Sequence, residues 1–242
     1  MEQTTNKEIG EIKMNSANKT KKYDFSKIEE PIISEELEKK MPELVYGSQK
    51  VGSTLTFGQF TKSVGAVKTP LEWIILQEWI EHDNTEKYLV ITKNALDIRS
   101  YDDSHKDITW ADSSIRKWLN DDFYNSAFSP EEKKLIRPAW CCPDERQDFE
   151  EDTKDKVFLF SYYEARMVFS LRMSRYLKCT ATEYAERKNS DAHGACRWWL
   201  RSPGSDYSKA AFVSADGEIQ RDGINISSEI GVRPVMWVKK QI

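Results

Sequence analysis

The segment that decides the fold reads CRWWLRSPG at residues 196–204, and a second segment, GVRPVMWV, follows at residues 231–238. Large aromatic and β-branched side chains dominate both, and such residues favour strands of a packed sheet. Each apolar run also contains one arginine, Arg201 in the first and Arg233 in the second. A guanidinium in such a run needs specific partners, because an unpaired buried charge is costly. The two segments therefore predict two core strands, each with a paired arginine.

These arginines have two possible roles. In the first, each guanidinium is a polar clamp between core strands, which the neighbouring tryptophans and valines favour because such positions are normally buried. In the second, the first segment borders an open pocket and its side chains contact a ligand. The candidate ligand-binding residues are then Trp199, Arg201, Tyr207 and Asn225. Burial or exposure of these side chains discriminates between the two roles.

The overall composition argues against several classes of protein. The 242 residues include 36 basic and 40 acidic side chains, and a net charge of -4 offers no field that would attract nucleic acid. No apolar run approaches the length that crosses a bilayer, and the first residues lack the hydrophobic core of a signal peptide. The expectation is a cytoplasmic protein without a membrane span. An export signal removed from the chain would make it extracellular.

Residues 1–48 are expected to form a flexible leader with a short helix at 34–41, and residues 49–242 to form the domain. In the first half of the domain, hydrophobic periodicity and turn residues predict an edge strand at 51–60 with a bulge at Gly58, a hairpin from 71–79 and 87–93, and two helices between 113 and 136. An exposed acidic loop is expected at 144–155 and a buried strand at 157–160. The second half predicts helices at 161–169 and 181–187 and a hairpin from 210–214 and 218–220.

Few residues suggest catalysis or metal binding. His193 lies three residues before Cys196, and a catalytic thiol needs a nearby base. The same spacing arises when a small buried thiol follows an exposed histidine, and that interpretation is favoured. The acidic loop lacks the ordered carboxylates and the glycine of an EF-hand, and no hydrolase or nucleotide-binding motif is present. We therefore expect no catalytic residue, no metal and no cofactor.

Several short motifs follow one another in a recognisable order. They include Phe57-Gly58, Glu72-Trp73-Ile74, the run Trp198 to Gly204 and the run Gly231 to Trp237. In this order the chain resembles a bacterial family, named only as a domain of unknown function, that recurs mainly in Firmicutes and related anaerobes. The resemblance covers most of residues 51–238.

The two closing segments also resemble the formylglycine-generating-enzyme and C-type-lectin-like folds. There, a Trp/Arg strand is followed by a Gly-Phe-Arg or Gly-Val-Arg strand, and Gly231-Val232-Arg233 fits that ending. The resemblance implies an α+β, C-type-lectin-like mixed domain, with a twisted antiparallel sheet, flanking helices and long loops. It does not imply the enzyme's activity, because the cysteine pair of the oxidising enzymes is absent from the segment between those strands. The Glu-Pro-Asn type loop of calcium-dependent lectins is also absent.

The function expected from this scaffold is non-enzymatic binding of a ligand or protein, with a protein, peptide or glycan as partner. Loops around residues 187–197, 204–209 and 221–228 are expected to form the contact surface. The alternative is a formylglycine-generating-enzyme-like modifying enzyme or another oxidoreductase, which predicts a metal at Cys196. A third possibility is an interaction module of a mobile element or surface system.

Overall fold

The computed structural model describes residues 51–60, 68–81, 84–104, 107–144, 150–188 and 194–240. The predicted leader at 1–48 lies outside the described residues, as does His193. Strand and helix are mixed, with much more strand than helix, and the sheets are curled and mainly antiparallel. The predicted α+β class is therefore confirmed at this level.

Two five-stranded sheets and one two-stranded sheet are formed by the described residues. The strands are β1 (Thr54–Phe60), β2 (Thr69–Ile80), β3 (Glu86–Thr92), β4 (Asp97–Arg99), β5 (Ile136–Arg137), β6 (Ala139–Cys141), β7 (Thr153–Asp155), β8 (Trp198–Pro203), β9 (Lys209–Val213), β10 (Ile219–Asn225), β11 (Ile230–Val232) and β12 (Val235–Lys239). The first sheet has the order β1-β2-β3-β12-β5 and the second has the order β10-β9-β8-β11-β4, while β6 pairs with β7.

The predicted hairpins and the predicted edge strand are confirmed. Strands β2 and β3 are antiparallel, and β9 and β10 form the second hairpin with Gly217 at φ +89 in its turn. Strand β1 lies at the edge of the first sheet, and its register shifts at the expected bulge, where Gly58 has φ +74. A positive φ is readily adopted by glycine and rarely by other residues, which explains this residue at the bulge.

The two signature segments meet in the second sheet, where Gly231 of β11 pairs with Trp198 of β8. A Cβ at Gly231 would lie 2.6 Å from the carbonyl oxygen of Arg197, so only glycine permits this close approach. The chain then leaves the second sheet and enters the first as β12. Arg233 and Pro234 occupy the corner between the two sheets, where a residue without a backbone N–H costs no ladder hydrogen bond.

Five short α-helices lie within the described residues, and two of them begin with a capping box. Ser129 and Glu132 cap one helix, and Ser161 and Glu164 cap another, with each serine side chain accepting from the glutamate N–H. A π-helical turn, Leu119–Phe123, joins the first two helices, and a 3-10 helix spans Leu171–Tyr176. The α-helices are α1 (Ser114–Trp118), α2 (Tyr124–Ala127), α3 (Pro130–Lys133), α4 (Tyr162–Val168) and α5 (Glu183–Lys188).

Two predictions from the sequence are corrected. The acidic stretch 144–155 was expected to be an exposed loop, but in its described part Glu150 is buried and Thr153–Asp155 form β7. Asp155 is buried because Arg116, Trp110 and Thr153 all donate hydrogen bonds to its carboxylate. The run 157–160 is buried as expected, yet it forms only one isolated bridge, Phe158 to Val235, instead of a regular strand.

No helix in the described part of the chain is long and apolar enough to cross a membrane.

Candidate functional site

The four candidate ligand-binding residues lie in different environments. Trp199 has no exposed surface and Arg201 is also buried, whereas Tyr207 is half-buried and Asn225 is exposed. The Asn225 side-chain oxygen accepts hydrogen bonds from the N–H and hydroxyl of Ser227. Two of the four side chains thus belong to the interior and do not line an open pocket. That the four bind one ligand stays a prediction.

Arg201 is held by a dense set of acceptors. Its guanidinium donates to both carboxylate oxygens of Glu164, with one distance of 2.7 Å, and to the carbonyl oxygens of Leu159 and Cys142 at 3.0 and 3.2 Å. Burial on its own would lower the pKa of Arg201, but the Glu164 carboxylate outweighs it and the pKa is raised. The side chain stays charged and clamps β8 to α4 and to the segment before it.

Arg233 is a clamp of a different kind. It is fully buried at the corner between β11 and β12, and within the described residues its acceptors are the carbonyl oxygens of Thr92, Tyr176 and Lys93. Its guanidinium also lies over the Trp198 ring, 5.2 Å from the centroid. Burial lowers its pKa, because carbonyls compensate a charge less completely than a carboxylate does.

A cavity of about 20 Å³ adjoins Arg201 and is also lined by Cys141, Asp144 and Glu150. This volume is close to the minimum that holds a single water molecule. Among the residues that the structure describes, the space beside Arg201 is therefore too small for an organic ligand.

An open cleft of about 470 Å³ lies elsewhere on the domain. Its walls come from β4 and the turn after it, from α1 and the π-helical turn, and from Glu229 between β10 and β11. Binding sites for small molecules commonly measure about 300–1,000 Å³, so the cleft has the size of a ligand site. We define these walls as the β4–π cleft.

The floor of the β4–π cleft is a stacked pair of side chains. The guanidinium carbon of Arg99 lies 4.2 Å from the centroid of the Trp118 ring. Arg99 Nε donates to Asp97 Oδ2 at 2.8 Å, and the Asp97 side chain is only 2% exposed while that of Arg99 is 37% exposed. A buried carboxylate and an indole face thus fix the arginine in one position at the surface.

The core holds this floor in place from behind. Trp199 donates its indole N–H to the carbonyl oxygen of Arg99 at 2.9 Å, and the Tyr101 ring packs edge-on against Trp199. Tyr101 also donates its hydroxyl hydrogen to the carbonyl oxygen of Arg201 at 2.7 Å. Trp199 and Arg201 therefore support the cleft without lining it.

Asp102 fastens the turn after β4 to the first helix. Its carboxylate accepts from the N–H of Ser104 and from the N–H of Ser114, both at 2.8 Å. Burial would raise the pKa of Asp102, but the hydrogen bonds from Ser104 and Ser114 outweigh it and the pKa is lowered. The charged carboxylate thus keeps the two walls of the cleft at a constant separation.

Four carboxylates line the β4–π cleft. Asp103 follows β4, Asp121 and Asp122 lie in the π-helical turn, and Glu229 precedes β11. All four are exposed. A π-helical turn changes the direction of the side chains around it and is frequent at functional sites. No sequence pattern indicated this turn, which explains why these carboxylates were not among the candidates.

The contact loop predicted at 221–228 is only partly a loop, because residues 221–225 belong to β10. Its remaining part borders the cleft, where the carbonyl oxygen of Ile226 accepts from the N–H groups of Tyr101 and Asp102 at 2.8 and 3.2 Å. Glu229, one residue beyond that loop, lines the cleft itself.

The cysteines show no sign of activation as nucleophiles. Burial raises the pKa of Cys196 to about 12, so the thiol is protonated at neutral pH. Burial likewise raises the pKa values of Cys141 and Cys179, and Cys142 is exposed. All three histidines lie outside the described residues. Within the described ranges, no three His, Cys, Asp or Glu side chains are grouped closely enough to hold a metal ion.

Comparison with known proteins gives one match. A family model described as "Domain of unknown function (DUF6273)" matches residues 85–240, which is more than half of the chain. Neither the curated proteins nor the solved structures include a significant match.

Proposed function

The chain belongs to the DUF6273 domain family, and from this premise we propose that it is a non-enzymatic binding domain whose ligand site is the β4–π cleft. The observation that carries the proposal is the cleft itself: a volume of about 470 Å³ with a floor fixed by Asp97, Trp118 and Trp199. A site held in advance by buried partners loses little entropy when a ligand binds.

The scaffold proposed for this function is C-type-lectin-like and related to the formylglycine-generating enzymes. Support comes from the meeting of the two arginine-bearing segments in one sheet and from the short helices beside mainly antiparallel strands. Such a scaffold carries its binding residues on the loops between strands. The connection 226–229 between β10 and β11, which lies beside the cleft, agrees with that arrangement.

The alternative, a modifying enzyme or other oxidoreductase, has weaker support. A catalytic thiol or a thiolate metal ligand requires a lowered pKa, whereas burial raises that of Cys196. The alternative predicts a stoichiometric metal in the purified protein that is lost in Cys196→Ser. Elemental analysis that finds such a metal would overturn the binding proposal.

The proposed site is tested with a variant that fills it. Lys117 is exposed and lines the cleft, so Lys117→Trp should occupy the space of a ligand. Lys134→Trp is the matched control, because Lys134 is an exposed lysine just after α3 and outside the cleft. Binders are selected on the unmodified protein from a random dodecapeptide library and from a glycan array.

The selected binders are then measured on both variants by biolayer interferometry. We expect at least one class to lose roughly tenfold or more in affinity on Lys117→Trp, equivalent to about 1.4 kcal/mol or more, and to keep its affinity on Lys134→Trp. If every binder is equally affected by the two variants, or no binder is recovered, the β4–π cleft is not the functional site.

A further inference from the structure

We infer that the ligand of the β4–π cleft is a basic peptide segment, one that presents lysine or arginine side chains. This inference rests on the proposed binding function and adds the chemical class of the partner. It follows from three features: the charges of the cleft walls, the closed face of the cleft tryptophan, and the donors of Arg99.

The walls carry an excess of negative charge. Asp103, Asp121, Asp122 and Glu229 face two basic residues, Arg99 and Lys117. The described lining thus has four acidic side chains against two basic ones, and the buried carboxylate of Asp97 pairs with one of these, Arg99, at 2.8 Å. Clefts lined by one sign of charge raise the local concentration of ligands of the opposite sign.

The four carboxylates come from three separate segments of the chain. A cationic side chain that enters the cleft therefore meets acidic groups on more than one side. A neutral ligand gains no such contacts, and an anionic ligand is repelled by the carboxylates. Charge complementarity thus favours a cation.

Among its described lining residues, the cleft offers no open aromatic face to a sugar ring. Trp118 is only 8% exposed, Arg99 covers one face, and the rings of Phe60 and Phe123 pack against it. Sugar rings are usually held by stacking on an open aromatic face. A neutral glycan therefore fits the cleft poorly.

Arg99 supplies the feature that a peptide backbone needs. Within the described residues, Arg99 donates only from Nε, to Asp97. Its two terminal guanidinium nitrogens have no acceptor among those residues. Two hydrogen-bond donors at the floor of a cleft match backbone carbonyl oxygens, which a peptide has and a simple amine lacks. Carboxylates in the lining and donors at the floor together favour a basic peptide over a polyamine.

The experiment measures fluorescence anisotropy with four probes. These are a labelled nine-residue peptide of alternating glycine and lysine, its glutamate and serine counterparts, and labelled maltoheptaose. Spermidine is added as a competitor. Titrations are repeated at about 50 and 200 mM NaCl, because screening weakens the attraction between exposed charges. We expect the lysine peptide to bind most tightly and to lose affinity at the higher salt concentration.

Three changes inside the cleft report on the mechanism. Asp121→Asn with Asp122→Asn should weaken the lysine peptide roughly tenfold, whereas the control Glu218→Gln with Asp222→Asn removes two exposed charges outside the cleft and should change little. Lys117→Gln removes the opposing cation without adding bulk and should strengthen binding two- to threefold or so. Thermal unfolding of each variant shows that the fold is retained.

The last variant separates a peptide from a simple amine. Arg99→Lys keeps the charge but loses the planar pair of donors, so it should weaken the lysine peptide and leave the competition by spermidine unchanged.

Three results would contradict the inference in different ways. If the glutamate peptide, the serine peptide or maltoheptaose binds best and Lys117→Trp blocks it, the cleft is a ligand site but the basic class is wrong. If spermidine competes as strongly as the unlabelled lysine peptide and Arg99→Lys affects both equally, the ligand is a polyamine and not a peptide. If the lysine peptide binds with no sensitivity to Lys117→Trp or to the Asp121 and Asp122 changes, it binds outside the cleft, and the inference fails.

Discussion

Replacement of Arg201 by methionine tests whether the arginine of the β8 segment is a structural clamp. Methionine keeps much of the aliphatic volume, but it removes the charge and every side-chain donor. Glu164 then loses its cation, and the carbonyl oxygens of Leu159 and Cys142 lose a donor. The backbone contacts of Arg201 to Phe160 and Tyr101 are kept.

The expected cost follows from the burial of the two partners. Removal of one member of a buried ion pair typically destabilises a protein by about 3–5 kcal/mol. The Arg201 side chain is 5% exposed but that of Glu164 is 39% exposed, so water can hydrate the remaining carboxylate. The loss should therefore lie near the lower end, at about 3 kcal/mol. With a urea m-value of about 2–3 kcal/mol/M, the unfolding midpoint should fall by about 1 M.

A double-mutant cycle isolates the interaction itself. Glu164→Gln preserves the capping box of α4, because glutamine also fits that position, and it removes the charge that Arg201 requires. Urea unfolding, followed by tryptophan fluorescence, is measured for Arg201→Met, Glu164→Gln and the double variant. The coupling free energy should be about 1.5–3 kcal/mol, as for hydrogen bonds to charged groups.

The control cycle uses the exposed ion pair of Lys209 and Asp206, whose side chains are 41% and 51% exposed at a distance of 3.3 Å. Exposed pairs contribute about 0–1 kcal/mol. The clamp interpretation is refuted if Arg201→Met costs less than about 1 kcal/mol and its coupling to Glu164 equals that of the control pair.

Three further outcomes follow from other parts of the fold. Gly58→Ala places a Cβ 2.6 Å from a ring carbon of Phe128 at φ +74, and it should lower the free energy of unfolding by about 2 kcal/mol or more. Gly194→Ala has φ +86 but no neighbour within 4 Å among the described residues, so it should lower the free energy of unfolding by only about 1 kcal/mol. Equal costs in urea unfolding would contradict the steric argument. Hydrogen bonds lower the pKa of Asp102 from its ordinary 3.8, so the stability that its carboxylate contributes is complete above pH 3.8 and is lost as the pH falls below that value. In acid, the free energy of unfolding of Asp102→Asn should therefore depend less steeply on pH than that of the unmodified protein, and identical slopes would show that Asp102 contributes nothing. With Ellman's reagent at neutral pH, exposed Cys142 should react quickly, whereas buried Cys196, whose pKa is raised to about 12, should react only on unfolding. Cys142→Ser should abolish the fast phase of the reaction.

Elements governed by local rules were predicted correctly. The hairpin of β2 and β3 follows from two apolar, β-rich runs around a polar turn, and the Asp-Gly turn between β9 and β10 follows from the positive φ of glycine. The helix that begins after Ser161 follows from its cap and its acidic first turn. Each of these signals acts over a few residues, so the sequence contains all of the information.

The buried part of the acidic stretch was not predictable in the same way. Seven acids between residues 144 and 155 suggested an exposed loop. Asp155 is buried because Arg116 and Trp110, which are 39 and 45 residues away along the chain, donate to it. Composition cannot reveal a partner at that distance, since the desolvation of a carboxylate depends on contacts made only after folding.

The residues around Arg201 and Arg233 predict core strands in which each guanidinium requires partners, because apolar runs are buried and a buried charge must be compensated. The identity of these partners depends on the folded chain: a carboxylate for Arg201, and carbonyl oxygens with an indole face for Arg233. The walls of the β4–π cleft likewise form only on folding, since Arg99, Trp118 and Glu229 lie far apart in the chain and meet only when the sheets and the π-helical turn are in place. A cleft is a property of the space between elements, and local residue preferences do not specify that space.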